Sequence, residues 1–330
     1  MRRYETLLSC FERAHAKQET KPRVRSLRDI SVARERVGTT AASLDRLAEA
    51  KLHFEIQLQI ARQIRTVLGD TAEALRDVSV SLGRLGDLAH ELGRRQISEA
   101  QRYYEQKLQI AKQTVTLTPD APEALRDLGI SVGRLGEISA ATLDLDTARV
   151  HFASMQQGVR QLRSRVGTSP QVLRDEGYSA GKLGDIALAR GDHDEAQRQY
   201  DDHARLALQV FDLTGATPPA LRELSVALDR LSVLARTRGR RAESAQLGLD
   251  AAVLAVEASS RRAAVALEDL AGISRRLTVA ARHSQVCPTA VWPLHSRMVR
   301  LVLNYCEFNL AEPLQRARSH LDTFHKAWLG

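Results

Sequence analysis

Apolar residues recur along this chain at the spacing of one face of a helix. Between residues 71 and 92 a stripe of leucine and valine runs through Leu75, Val78, Leu82, Leu85 and Leu92. This spacing predicts an amphipathic helix that packs one side into a core. Gly93 follows the stripe, as is common just past a helix C-terminus. A second stripe predicts another helix directly after it: Ala100, Tyr104, Leu108, Ala111 and Val115.

The whole pattern repeats along the chain. The text LRDVSVSLGRLGDLA from Leu75 returns as LRDLGISVGRLGEIS from Leu125 and as LRDEGYSAGKLGDIA from Leu173, with weaker copies from residues 27, 221 and 267. The copies start 48, 50, 48, 48 and 46 residues apart. A fixed period of this size marks a repeat array. Two helices of about 20 residues and two short connections fill it, so the sequence predicts an all-α solenoid of about six two-helix repeats plus terminal helices.

One stretch closely resembles the tetratricopeptide (TPR) repeat: LGDIALARGDHDEAQRQY, at residues 183–200. The matching positions are Leu183, Gly184, Ala187, Gly191, Asp192, Ala196 and Tyr200. The repeat here is about 48 residues long against the usual 34, and it is similar to the long TPR variety of bacterial signalling and defence proteins. The resemblance implies a right-handed α-α superhelix whose first helices line a concave groove for a partner.

The two ends of the chain depart from the repeat. Residues 1–22 are interpreted as an N-terminal capping helix or half repeat, because an amphipathic stretch there stops at Lys21-Pro22. Residues 23–310 are the predicted array, and 311–330 are a predicted C-terminal capping helix. Two interpretations of the first segment stay open: it caps the array, or the chain is part of a longer array.

Glycines inside the predicted first helices indicate tight packing. Gly86, Gly136 and Gly184 each cost about 1 kcal/mol of helix stability against alanine. They are expected where a neighbouring helix comes too close for a side chain. The small surface that faces them is expected at Ala100, Ala148 and Ala196.

A polar ladder runs along the first helices. Nine residues after each starting leucine comes a basic residue: Arg36, Arg84, Arg134, Lys182, Arg230 and Arg276. Three residues further on, the three best copies carry an acid: Asp87, Glu137 and Asp185. Five residues after the leucine stand Val32, Val80, Ile130, Tyr178 and Val226. A basic residue and an acid three positions apart can meet on one helix.

The ladder has two interpretations. In TPR proteins the positions that resemble these usually touch the bound peptide, which implies a mixed groove for a segment that carries carboxylates. The candidate partner-binding residues are Val80, Arg84, Asp87, Ile130, Arg134, Glu137, Tyr178, Lys182, Asp185, Val226 and Arg230. Alternatively, the same charges pair within and between repeats and hold the array together. A second ladder in the first turns is interpreted as structural, because acids there favour the helix dipole: Arg28/Asp29, Arg76/Asp77, Arg126/Asp127, Arg174/Asp175 and Arg222/Glu223.

Composition narrows the functional classes. The net charge of +8 permits acidic partners, but no nucleic-acid reader motif accompanies it. Three cysteines without a CxxC make neither a disulfide framework nor a zinc site, which favours a reducing, cytoplasmic setting. No apolar run reaches the length of a membrane span. No HExxH or strand-associated GxGxxG is present, so neither a cofactor nor a catalytic site is expected.

The sequence thus predicts a non-catalytic scaffold or adaptor that binds a peptide or helical segment, of acidic character, from a partner protein. One alternative is a regulatory sensor module that controls a separate effector enzyme, a protease or an NTPase. The other is a basic solenoid that binds nucleic acid.

Overall fold

The computed structural model describes residues 24–260. The predicted N-terminal helix, the repeat copy from Leu267 and the C-terminal cap lie outside the described residues. Ten α-helices make up the described part: α1 Val24–Ser43, α2 Leu47–Leu68, α3 Ala72–Glu91, α4 Ile97–Leu117, α5 Pro122–Ala141, α6 Leu145–Val166, α7 Pro170–Ala189, α8 His193–Thr214, α9 Pro218–Thr237 and α10 Arg241–Ser260. A short 3-10 helix, Gly93–Gln96, precedes α4.

The helix ends follow from local sequence. Helix α3, which the apolar stripe predicts between residues 71 and 92, begins after Thr71, whose side chain accepts a hydrogen bond from the Ala74 amide at 3.3 Å. This N-cap satisfies a backbone donor that has no partner inside the helix. Gly93 lies beyond the end of α3 with a φ of 78°, a conformation that glycine adopts without steric cost. Helices α5, α7 and α9 each begin with proline, which suits the first turn.

The described helices pack in successive pairs within each of two compact units. The division falls inside α6, between Gly158 and Val159. In the first unit, α1 packs on α2 and α3 on α4, while α2 also contacts α3 and α4 contacts α5. In the second unit, α7 packs on α8 and α9 on α10, and α8 contacts α9. Odd-numbered helices are the first helices of the repeats and even-numbered helices are the second.

The apolar stripes form the cores. In the first unit, the predicted stripe of α3 is buried together with residues of α2 and α4. In the second unit, the corresponding residues of α9 join α8 and α10 in one cluster. Burying a leucine side chain stabilises the fold by about 1.5–3 kcal/mol, so these shared stripes supply the main apolar stabilisation of each repeat.

The glycines lie under aromatic rings. A methyl group added to Gly86 would stand 2.7 Å from Cδ1 and 2.9 Å from Cζ of Tyr104. Gly184 meets the ring of Tyr200 in the same way, and Gly136 meets that of Phe152. The close approach that the sequence predicts is therefore present. Its nearest atoms, however, belong to the aromatic residue of the second helix, and not to the alanine four residues before it.

Candidate functional site

Charged residues of the ladder join successive first helices. Arg84 on α3 donates from Nε and Nη2 to Oε1 of Glu35 on α1, at 2.9 and 2.6 Å. Arg84 therefore binds an acid of the preceding repeat, although Asp87 stands three residues away on its own helix. Glu35 lies outside the set of candidate residues predicted from the sequence.

Arg134 on α5 contacts one acid of the preceding repeat and one acid of its own helix. It lies 3.2 Å from Asp87 of the preceding repeat and 2.8 Å from Glu137 on its own helix. Burial lowers the pKa of Arg134, but the nearby charges of Asp87 and Glu137 outweigh this effect and hold the pKa above its ordinary value. The guanidinium stays charged and links two repeats of the first unit.

Arg230 on α9 repeats this arrangement in the second unit. Its Nε and Nη2 donate to the two carboxylate oxygens of Asp185 on α7, both at 2.9 Å. Such a bidentate pair is the strongest geometry for an arginine and a carboxylate. The Nη1 of Arg230 lies 3.3 Å from Nδ1 of His203. Burial and the charge of Arg230 lower the pKa of His203 to about 3, so His203 is neutral and accepts this hydrogen bond.

Tyrosine hydroxyls complete two of these links. Tyr104 donates to Asp87 at 2.7 Å, and Tyr200 donates to Asp185 at 3.0 Å. Burial raises the pKa of both tyrosines, so they remain neutral donors. Each aspartate thus accepts from the second helix of its own repeat while it pairs with the arginine of the next. Phe152 has no hydroxyl, and in that repeat the acid is Glu137.

Lys182 makes a different contact. Its Nζ lies 5.4 Å from the centre of the Tyr178 ring, four residues earlier on α7. A cation above an aromatic face at this distance is stabilised by about 0.5–1 kcal/mol at an exposed site. Two of the predicted candidate residues therefore contact each other.

The apolar members of the candidate set differ in exposure. Val32 and Val80 remain 47% and 40% exposed at equivalent positions of α1 and α3. The equivalent residues Ile130, Tyr178 and Val226 are half-buried. Arg84, Arg134 and Arg230 thus pair with acids of the preceding repeat, while Val32 and Val80 keep open surface. Partner contact by any of these residues stays a prediction.

The second ladder also links repeats. Arg28 on α1 donates to Glu73 at 2.9 Å and to Asp77 at 3.2 Å, both on α3. Asp127 on α5 has another partner, the buried Lys107 of α4, and it also accepts from Ser79 at 2.6 Å. Lys107 donates to Ser79 as well, at 2.9 Å. The repeat pattern does not predict this buried group, because the position of Lys107 carries a different residue type in every described repeat.

A buried acid stands in the core of the fourth repeat. Glu176 on α7 occupies a position at which the other described repeats carry isoleucine, valine or leucine. It is bound by Arg160 at 3.1 Å and by Arg163 at 2.6 Å, both from α6. A buried carboxylate requires such partners, and this pair of arginines ties α6 to α7 within the second unit.

Between residues 24 and 260, no three His, Cys, Asp or Glu residues are grouped so that they could hold a metal ion. Over the same residues, no helix combines the length and the apolar character that crossing a membrane requires.

Comparison with known proteins gives the fold. No protein-family model and no curated protein matches this chain. Among solved structures, BtubC (BKLC) from P. vanneervenii aligns over 80% of this chain and 94% of its own, with a TM-score of 0.52 and 13% identity. TTC0263, a thermophilic TPR protein in Thermus thermophilus, aligns over 83% and 100%, with a TM-score of 0.35 and 14% identity. PilF of Pseudomonas aeruginosa aligns over 82% and 99%, with a TM-score of 0.33 and 10% identity.

The likeness to BtubC agrees with the architecture of the described chain. Successive helix pairs pack on one another in each unit, and in four of the described repeats a glycine of the first helix lies under an aromatic ring of the second. Residues 24–260 therefore form an all-α array of TPR-like two-helix repeats.

Proposed function

We propose that this chain is a non-catalytic protein-interaction scaffold that binds a segment of a partner protein over the first helices of the first unit. The observation that carries the proposal is the exposure of Val32 and Val80 at the same position of consecutive first helices. Apolar side chains that line up on exposed surface favour contact with a partner. We call the exposed sides of α1 and α3 around these valines the first-helix surface.

Charge supports a partner with acidic groups. Arg36 stands four residues after Val32, and Arg76 four residues before Val80, so each arginine shares the exposed side of its valine. Both arginines are exposed, and neither side chain has an ion pair among the residues that the structure describes. Guanidinium groups without an internal partner are available to a carboxylate.

The same contacts argue against a nucleic-acid solenoid. Arg84, Arg134 and Arg230, which would form its basic row, are paired with carboxylates of neighbouring repeats. A surface that neutralises phosphates requires cations that are free to do so. A regulatory module that controls an effector enzyme would use the same act of binding, with the effector as partner.

A peptide selection tests the proposal. A library of random peptides of about 16 residues, enough for roughly four helical turns, is selected on the immobilised chain, and the enriched peptides are measured as labelled peptides by fluorescence anisotropy. We expect enrichment of sequences in which acidic and apolar residues alternate or follow a helical spacing. Val32→Ser with Val80→Ser should weaken their binding about tenfold, because each substitution removes apolar contact area.

The chain offers a matched control for this test. Val67 and Leu117 are similarly exposed, but they lie at the ends of second helices. Val67→Ser with Leu117→Ser should leave binding unchanged. The proposal fails if no peptide is enriched, or if the control pair weakens binding as much as the Val32 and Val80 pair does.

A further inference from the structure

A cavity of about 300 Å³ lies between the second helices of the first unit. Its floor and one wall are apolar and aromatic: Leu58 on α2, Leu85 on α3 and Tyr103 on α4. Its other lining residues are polar: Glu55, Gln59, Arg62, Arg102 and Gln106. We call this cavity the α2–α4 groove. It is lined mainly by second helices and is separate from the first-helix surface.

An ion pair beside the groove joins α2 to α4. Lys51 on α2 donates to both carboxylate oxygens of Glu99 on α4, at 3.0 and 3.1 Å. The hydroxyl of Tyr103 donates to the same carboxylate at 3.3 Å. Burial, followed by the charge of Glu99, raises the pKa of Tyr103, so its hydroxyl remains a donor. The groove is therefore a shaped site whose tyrosine is held in place.

The polar lining is open to a ligand. Leu58 and Leu85 are buried at the floor, whereas Gln59, Arg62, Arg102 and Gln106 are exposed above it. Among residues 24–260, neither guanidinium of the lining has an ion pair or a side-chain hydrogen bond. By contrast, Arg65, one turn after Arg62 on α2, is held by Asp70 at 2.6 Å.

The second unit shows the same position closed. The residues equivalent to Leu58, Arg62, Leu85 and Tyr103 belong to one buried apolar cluster there, and they are Ala204, Leu208, Leu231 and Leu247. The repeat can thus pack this site shut with leucine and alanine. In the first unit Arg62 instead stands at the position of Leu208, which forgoes apolar burial beside the cavity.

We propose that the α2–α4 groove binds an acidic segment of a partner protein. An apolar side chain of the segment rests on Leu58 and Leu85, and carboxylates beside it pair with Arg62 and Arg102. Two arginines and one glutamate leave the lining with a net charge of +1, which favours an acidic ligand. A small molecule fits less well, because four of the lining residues are exposed and small-molecule sites bury most of their ligand.

The probe is a synthetic array of peptides of about 12 residues, roughly three helical turns, in which one Leu, Ile, Met or Phe is flanked by Asp and Glu. A second array carries Asn and Gln in place of every acid. Peptides from the spots that retain the whole chain are labelled, and their affinity for it is measured by fluorescence anisotropy. We expect binding from the acidic array, and at least about tenfold weaker binding after Arg62→Glu with Arg102→Glu. Glu55→Gln should tighten binding about two- to threefold, because it removes a like charge from the lining.

Three further variants make the outcome specific. Arg62→Leu with Arg102→Leu and Gln106→Ala replaces the polar lining with apolar residues and should abolish binding. Circular dichroism of this variant reports whether its helices are intact, and Arg62→Gln with Arg102→Gln gives a milder replacement. Lys112→Glu with Arg149→Glu is the control for Arg62→Glu with Arg102→Glu. It makes the same change in net charge on exposed residues of α4 and α6, and should leave binding within about twofold.

Any one of three results would overturn the inference. The first is that the uncharged array binds as well as the acidic one. The second is that the Lys112 and Arg149 control weakens binding as much as the groove variants do, and the third is that no acidic peptide binds. Substitutions of Val32 and Val80 should leave binding of these peptides unchanged. The groove and the first-helix surface can therefore fail independently.

Discussion

Substituting Gly86 by alanine has two opposing effects on stability, because Gly86 lies in a helix and also under the ring of Tyr104. Glycine inside a helix costs about 1 kcal/mol against alanine, so Gly86→Ala would stabilise α3 if space were free. A methyl group at Gly86, however, stands 2.7 Å from Cδ1 and 2.9 Å from Cζ of Tyr104. Overpacking of this kind costs about 1–3 kcal/mol. We expect Gly86→Ala to lower the free energy of unfolding by up to about 2 kcal/mol.

Gly129 is the matched control. It lies inside α5, and a methyl group added there meets no neighbouring atom within 4 Å. Gly129→Ala should therefore raise the free energy of unfolding by about 0.5–1 kcal/mol. Urea unfolding of the three proteins, followed by circular dichroism of the helical signal, measures both changes under one set of conditions. The reasoning is refuted if Gly86→Ala stabilises the chain as much as Gly129→Ala does.

A double substitution separates the ring contact from other causes. In the fifth repeat, Ser232 and Gly248 occupy the positions of Gly86 and Tyr104, and a methyl group at Gly248 would stand 3.3 Å from Oγ of Ser232, so the repeat accepts a larger first-helix residue where the second helix has no ring. Tyr104→Leu should remove most of the penalty of Gly86→Ala, and the two substitutions should couple by about 0.5–3 kcal/mol. Additive effects would show that the ring is not the source of the cost.

Three further predictions concern charged and titratable side chains. Lys107→Met should lower the free energy of unfolding by about 1–3 kcal/mol, because Asp127 loses its cation. Adding Asp127→Asn to Lys107→Met should restore part of the lost stability, and the urea midpoints of the single and double variants check this. Arg230→Met should cost about 1–3 kcal/mol and Arg84→Met less than about 1 kcal/mol, because their side chains are 20% and 43% exposed; equal losses by thermal unfolding would contradict the dependence on burial. Burial raises the pKa of Asp201 to about 7, so the folded state holds a proton that the unfolded chain releases near pH ~4. The free energy of unfolding should therefore fall as pH rises between about 4 and 7. Asp201→Asn should remove this fall, which unfolding at about pH 5 and about pH 8 measures.

The parts of the fold that all copies share are predictable from the sequence. The stripe from Leu75 to Leu92 gives the bounds of α3 to within about one residue, because an amphipathic period and a flanking glycine are local signals. The alternation of first and second helices follows from the repeat period of about 48 residues. The need for glycine at Gly86 is also visible, because the residue is costly in a helix unless something close requires it.

The partners of the charged residues are not predictable in the same way. Spacing along one helix favours Arg84 with Asp87, yet Arg84 binds Glu35 of the preceding repeat. The offset between neighbouring first helices decides this choice, and a sequence does not state that offset. The same holds for Lys107, whose ammonium reaches Ser79 and Asp127 on two different helices.

The positions at which the repeats differ are the places to seek function. Residues shared by every repeat, such as Leu75 and its equivalents, are fully explained by packing, and the ladder arginines are largely explained by pairing between repeats. An α-solenoid is stabilised by each repeat and by the contact with its neighbour, so selection for stability alone would favour the same apolar closure at every junction. The second unit has that closure at Leu208, whereas the first unit has Arg62 at the same junction position. A departure of this kind forgoes stability locally, and recognition of a partner is a physical reason for the chain to retain it.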